Sequence, residues 1–522
     1  MPQTPALSSL TIHPEACVRS APGLREAPLD DKSPSSDPEY RPLQRAGLVV
    51  GGVVFAVLLL VPAPEALGLA GWRTAAVTTL MAIWWMTEAI PIPATAMLPL
   101  GLFPALGILT PARASEPYAN DLIFLFMGGF LLAVTMERWH LHKRIALQIM
   151  RLVGTSPNRL VLGFMLATAF LSMWISNTAT AAMMLPIAIA VGEMFRPQDL
   201  EGPYDFGIAL MLGVAYAASI GGVATLIGTP PNAVLAGAAS EILDVQIGFV
   251  QWMGVGLPMA LLMLPLTWIL LTRVLHAPGR LVGDAASIIE REVAGLGPAS
   301  RGEKITGVVF TLTALAWIFR SEKNIGGVTI PGLQSWAPGI SDSTIAMAAA
   351  VLLFVIPVDW RRGAFTLDWP TARRIPWGVL VLFGGGLSLA RAMEDSGLAA
   401  WIGGAVSALG AVPPLAIVAA VAALVVFLTE VTSNTATATM AMPIMAGAAV
   451  GLGMEPLLPM TAAALAASMA FMLPVATPPN AIVFGSGYIS IPQMSRAGFL
   501  LNLAAIILIT LLGAVLIPLF LL

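Results

Sequence analysis

Ser176-Asn177-Thr178-Ala179-Thr180 and Ser433-Asn434-Thr435-Ala436-Thr437 are the same five residues in the same order. Each string interrupts an otherwise apolar stretch, 160 to 192 in the first case and 411 to 450 in the second. Polar, non-helical backbone at membrane depth is tolerated only where protein buries it or a cavity wets it. Both stretches therefore read as re-entrant hairpins with the polar string at the tip.

A shift of 257 residues carries one string onto the other. The same shift, without a gap, superposes Leu125 on Leu382, Phe126 on Phe383, Gly128 and Gly129 on Gly385 and Gly386, Ala133 on Ala390, and Pro186-Ile187 on Pro443-Ile444. Further along, Thr229-Pro230-Pro231-Asn232 recurs as Thr477-Pro478-Pro479-Asn480 at a shift of 248. Chance does not supply two tetrapeptides, a five-residue string and a glycine pair in register, so the chain reads as a duplication.

The surrounding composition fits the bilayer. The 522 residues are 57% apolar and 11% charged, with a mean hydropathy of +0.85, far outside the range of water-soluble domains. A net charge of −3, with 26 basic residues lying mostly between apolar runs, leaves no basic patch for nucleic acid. One cysteine, Cys17, excludes an internal disulfide and any cysteine-based metal site. Residues 1–45 are rich in Pro, Ser and mixed charge with no apolar core of signal-peptide length, and are expected to be a disordered tail.

Apolar stretches long enough to cross lie near 46–62, 72–90, 93–109, 121–138, 207–240, 253–275, 305–319, 343–357, 376–393, 457–485 and 498–522, about eleven crossings at roughly 17–25 residues each. The expected fold is thus an all-α polytopic membrane protein of about eleven helices plus two hairpins. Lys and Arg gather in 138–159, 273–304 and 361–374 and are missing from 241–252 and 394–412, which places the former three inside. Counting from a cytoplasmic N-terminus puts the C-terminus outside, and the hairpin at Ser176 then enters from the cytoplasm, that at Ser433 from outside. The halves are inverted: a first transmembrane helix in 46–70, repeat 1 over 71–276, a cytoplasmic linker over 277–304 and repeat 2 over 305–522. The expected location is a bacterial-type inner (cytoplasmic) membrane.

Paired broken helices in inverted repeats point to a binding site at the bilayer midplane. Ser, Asn and Thr bring side-chain donors and acceptors, an unwound tip frees carbonyls for a cation, and amides opening the next half-helix face an anion. Pro230 and Pro231 cannot extend the preceding helix and free carbonyls before them. A lone Ser-Thr cluster would ordinarily hydrogen-bond within its helix, but four breaks paired across two halves call for more. No Asp, Glu, Lys, Arg or His occurs in 160–192, 206–240, 397–429, 431–454 or 456–495. A bound anion would then need helix N-termini and co-bound cations, and each would raise affinity for the other. The same windows leave an intramembrane enzyme no base or metal cluster. Glu88 and Glu430 are candidate proton-coupling carboxylates, against structural pairing or interfacial placement. His140 and His142 belong to a basic segment expected to be an interfacial helix.

Thr87-Glu88-Ala89-Ile90-Pro91, both Ser-Asn-Thr tips, Ile227-Gly228-Thr229-Pro230-Pro231-Asn232 and Ala476-Thr477-Pro478-Pro479-Asn480 resemble the divalent anion/sodium symporters, whose members carry dicarboxylates, citrate or sulfate. The resemblance covers about 46 to 522. It implies a homodimer embedded in lipid, with a scaffold domain and a transport domain that carries both hairpins and moves as an elevator. It implies one sodium at Ser172, Ser176, Asn177 and the Gly228 backbone, and another at Thr429, Thr432 (through its carbonyl), Asn434 and the Ala476 backbone. Substrate carboxylates would be held by Asn177, Thr178, Asn434 and Thr435, helped by Thr229, Pro230, Thr477 and Pro478. Sodium is the expected coupling ion, without an organic cofactor, and a C4-dicarboxylate such as succinate or malate the expected cargo, because two separated tips suit two carboxylates better than one tetrahedral oxyanion. Some relatives instead exchange dicarboxylates without sodium, and sulfate or citrate is the alternative cargo.

Overall fold

The computed structural model describes residues 41–154, 156–196, 204–279, 285–325, 328–407 and 412–522. Pro42–Leu522 forms one unit. Among the described residues, five helices are long and apolar enough to span a bilayer: Pro42–Leu60, the segment Pro111–Arg138, Asp205–Val223, Phe249–Leu275 and Ile491–Phe520, with shorter apolar helices between them. Their burial sorts them. Every residue of Phe206–Val223 is buried, whereas Gly47 and Gly51 alone are buried in Pro42–Leu60 and most of Ile491–Phe520 is not buried. A helix apolar on every face belongs either in a core or against lipid, and the chain uses both placements.

The two expected hairpins are present as helix pairs. Pro157–Ser172 turns into Asn177–Met194, and Pro414–Thr429 turns into Asn434–Gly451. Proline starts both first arms, where its missing N–H costs nothing. Ser176 and Ser433 cap both second arms, accepting the N–H groups of Ala179 and Ala436, as an N-cap serine should. The Thr-Pro-Pro-Asn strings break two further crossings into Asp205–Val223 plus Pro230–Leu243 and into Leu457–Ala467 plus Pro478–Phe484.

Packing exchanges these pieces between the halves. Asn434–Gly451 of the second hairpin lies on Pro230–Leu243 of the first broken crossing, and Asn177–Met194 lies on Pro478–Phe484 of the second. Small residues let the backbones approach. A Cβ at Gly221 would fall 2.2 Å from the Ala169 carbonyl oxygen, and one at Gly451 would fall 1.9 Å from that of Gly403.

Several expectations change in detail. Residues 1–40 of the expected tail lie outside the described residues, but Pro42–Arg45 already belongs to the first helix, because their neighbours supply an apolar continuation. The stretch 93–109 is two short helices, Ile92–Thr95 and Leu98–Ala105, where prolines prevent one straight crossing. Two small antiparallel hairpins, Lys323–Ile325 with Val328–Ile330 and Pro357–Asp359 with Ala364–Phe365, qualify the all-α expectation. The expected linker over 277–304 contains a helix, Ala285–Leu296, packed on Leu141–Val153. His140 sits in the left-handed region at φ 56° just before Leu141–Val153, whose buried residues Ala146, Leu147 and Met150 share one face. That is the one-sided burial of an amphipathic helix.

Candidate functional site

Ser172 closes one hairpin arm and Asn177 opens the other, so the tip folds the two side chains together. Ser172 Oγ lies 2.6 Å from Asn177 Oδ1 and 2.6 Å from the Ala218 carbonyl oxygen. The second tip repeats the arrangement: Thr429 Oγ1 lies 2.6 Å from Asn434 Oδ1 and 3.1 Å from the Ala467 carbonyl oxygen. Ser172 and Thr429 are fully buried. A hydroxyl carries one proton, and with the amide oxygen facing it neither partner brings another. In each cluster one hydroxyl proton faces two acceptor oxygens, an oxygen-rich corner suited to a cation. The C-terminal ends of Pro157–Ser172 and Pro414–Thr429 add negative potential there, while the N-termini of Asn177–Met194, Pro230–Leu243 and Asn434–Gly451 present positive ends suited to an anion.

The broken crossings are tied by their asparagines. Asn232 Nδ2 donates to the carbonyls of Gly222 at 3.1 Å, Val223 at 3.4 Å and Thr225 at 2.8 Å. Asn480 Nδ2 donates to those of Ala470 at 3.3 Å and Leu473 at 3.1 Å. These carbonyls lie where the half-helices end before Thr-Pro-Pro-Asn, and buried carbonyls without partners are costly. Both Asn232 Oδ1 and Asn480 Oδ1 are buried with no hydrogen-bond partner among the described residues. Gly228 has to be glycine, since a Cβ there would lie 2.4 Å from the Gly222 carbonyl oxygen. Its counterpart, Ala476, is buried and donates its N–H to Leu473 O at 3.2 Å.

The remaining expected residues fall around these clusters. Thr229 and Thr477 are buried and extended, each just before its prolines, and Thr477 also caps the next half-helix through Asn480 N–H. Pro230 is half-buried and Pro478 exposed. Ser176 and Thr178 are exposed at the first tip, while Thr435 is half-buried at the second. The Thr432 side chain is turned back on its own hairpin, 2.8 Å from Leu428 O and 2.7 Å from Thr437 Oγ1, which leaves its carbonyl for any outside partner.

Of the two carboxylates, Glu88 is exposed and closes the helix Gly68–Thr87 in the left-handed region at φ 49°. Glu430 is buried and accepts the N–H groups of Phe471 at 2.8 Å, Met472 at 2.9 Å and Leu473 at 3.1 Å, together with Asn502 Nδ2 at 2.7 Å. Structural pairing describes Glu430. The Ala218 and Ala467 carbonyls, and Asn232 and Asn480 as carbonyl brackets, were not singled out from sequence. The shared Asn of the tetrapeptide was a signal for the brackets, whereas no residue type marks an alanine carbonyl. Among the described residues, no cluster of His, Cys, Asp and Glu is arranged to hold a metal ion.

Hairpins, broken crossings and oxygen clusters on an apolar helical body define a polytopic membrane transporter. The architecture is similar to the solved structure of the YdaH transporter from Alcanivorax borkumensis, with a TM-score of 0.57 over 84% of this chain and 98% of that one at 15% identity. Residues 44–522 match the family model described as the sodium:sulfate symporter transmembrane region, and the chain belongs to this family. It is 43% identical to the sodium-dependent dicarboxylate transporter SdcS of Staphylococcus saprophyticus, covering 92% of each chain. It is 44% identical to the protein of that name from Staphylococcus aureus strain USA300, covering 90% of each. Membership places the chain among transporters and not among enzymes.

Proposed function

We propose that this protein couples sodium entry to uptake of a C4-dicarboxylate such as succinate or malate. The carrying observation is the pair of matched oxygen clusters, Ser172–Asn177–Ala218 and Thr429–Asn434–Ala467, in each of which one hydroxyl faces two acceptor oxygens. Sodium at each cluster satisfies those oxygens, with Ser176 and the Gly228 carbonyl completing the first shell and the carbonyls of Thr432 and Ala476 the second. Substrate carboxylates then lie against Asn177, Thr178, Asn434 and Thr435, flanked by Thr229, Pro230, Thr477 and Pro478. Because the windows around the tips hold no basic residue, the co-bound cations and helix N-termini offset the anion's charge. Coupling follows by linkage, since the same neutralisation raises affinity in both directions. The relatives named sodium-dependent dicarboxylate transporters support this cargo and ion.

In this reading the halves are inverted repeats, the hairpins and broken crossings move together as an elevator against a scaffold, and two protomers associate in a cytoplasmic membrane with the N-terminus inside and the C-terminus outside. Reconstituted protein in liposomes should concentrate labelled succinate when sodium is higher on the uptake side, and should not do so with potassium or choline. Uptake that requires internal dicarboxylate and ignores sodium would make the protein an exchanger. Accumulation of sulfate or citrate in preference to succinate would replace the cargo.

A further inference from the structure

The two broken crossings differ where they unwind, and Glu430 occupies the difference. The carbonyls bracketed by Asn232 and Asn480 align Gly222 with Ala470 and Thr225 with Leu473, which brings Val223 opposite Phe471. The first helix runs through Val223, whereas the second stops at Ala467. The amides of Phe471, Met472 and Leu473 thereby lose the carbonyls that a continuing helix would offer, and unpartnered amides in a membrane interior cost several kcal/mol each. Glu430 accepts all three. At the corresponding place in the first hairpin, 257 residues earlier, stands Met173, which offers only its backbone carbonyl, to Thr225 Oγ1.

We infer that Glu430 is a positioning residue for the second cation site. This rests on the sodium-coupled reading above. Glu430 directly follows Thr429, whose hydroxyl meets the Asn434 and Ala467 oxygens. Its carboxylate fixes the unwound segment from the amide side, while Asn480 fixes it from the carbonyl side at Ala470 and Leu473. Leu473 O in turn accepts the N–H of Ala476, the residue whose carbonyl completes the cage. The backbone ligands of the second site are therefore held in place before an ion arrives. Glu430 forms no ion pair among the described residues, and its charge lies beside a site that takes a cation.

The test is a sodium titration of the purified, detergent-solubilised protein, followed by thermal melting with choline as the ionic control. In Glu430→Gln the amide NH2 faces backbone N–H groups and the charge is gone. The expected result is a sodium midpoint raised about tenfold, with the stabilisation recovered at high sodium. A purely structural role would lower the melting temperature equally at every sodium concentration, so an unchanged midpoint in a folded variant overturns the inference. If Glu430→Gln does not fold, Asn502→Ala, which removes one of the four donors, decides instead: a midpoint raised severalfold supports the positioning role, and an unchanged one overturns it. A wild type that is indifferent to sodium overturns the coupling reading as well, which separates that failure from a wild type that responds and variants that respond alike.

Discussion

The two broken crossings carry the same tetrapeptide, yet the chain before it differs. In the first, nineteen residues of helix from Asp205 to Val223 run up to the break. In the second, only the eleven residues from Leu457 to Ala467 do, and the exposed amides beyond are held by Glu430. From the Ala218 carbonyl to Gly228 is ten residues, and from the Ala467 carbonyl to Ala476 is nine. Similar oxygen clusters thus rest on different supports: close backbone packing at Gly222 and Gly228 in the first half, a buried carboxylate in the second. The recurring strings keep the oxygen clusters alike, and the support around them differs.

If the clusters are equivalent in function, removing either asparagine oxygen should be the most damaging change. Asn177→Ala and Asn434→Ala are each expected to reduce sodium-driven dicarboxylate accumulation in liposomes by about 100-fold or more, on the scale of losing a buried ligand with its partners left bare. Near-normal uptake by both variants would remove these residues from the site, and loss in only one would show that the halves divide the work. The brackets should separate the halves on stability. Asn232 serves three carbonyls and Asn480 two, and the second half has Glu430 in addition. Asn232→Ala is expected to cost about 2–3 kcal/mol and Asn480→Ala about 1–2 kcal/mol, read as loss of stability in denaturant titrations without sodium. The reverse order would contradict the unequal supports.

Much of this was legible because membranes restrict backbone so strongly. A polar string inside an apolar stretch admits few explanations, and its recurrence at a fixed shift made Ser176 and Ser433 readable as tips before any coordinates. The tetrapeptides announced their breaks through proline. What the sequence concealed was carried by backbone and by long-range packing. Ala218 and Ala467 contribute carbonyls, which every residue has, so nothing in their identity distinguishes them. Glu430 was visible as an intramembrane acid, but its partners Phe471, Met472 and Leu473 become donors only because the helix stops at Ala467. The division of 93–109 was signalled by Pro93, Pro99 and Pro104, which were outweighed by the apolar run around them.

Position 222 tests the contrast from the side of the first half. A Cβ on Gly222 would fall 2.5 Å from Asn177 Oδ1, whereas its counterpart is already Ala470. Gly222→Ala should push the Asn177 amide out of its cluster and raise the half-saturating sodium concentration about tenfold, roughly 1.4 kcal/mol of lost affinity. Ala470→Gly should change it little. Equal effects would mean that the two supports are interchangeable after all.

The smallest effect is expected from swapping one hydroxyl for the other. Thr429→Ser gives the second cluster the residue type the first uses at Ser172, keeping the oxygen and removing one buried methyl, a change worth about 1 kcal/mol of packing. Melting temperature should fall slightly, while the sodium midpoint should move by no more than about twofold. Thr429→Val retains the shape and deletes the oxygen, so it should abolish the sodium response that Thr429→Ser preserves. A valine variant that still answers to sodium would show that the hydroxyl at 429 is a helix-end hydrogen bond and nothing more, and the likeness between the two tips would then reduce to their backbone.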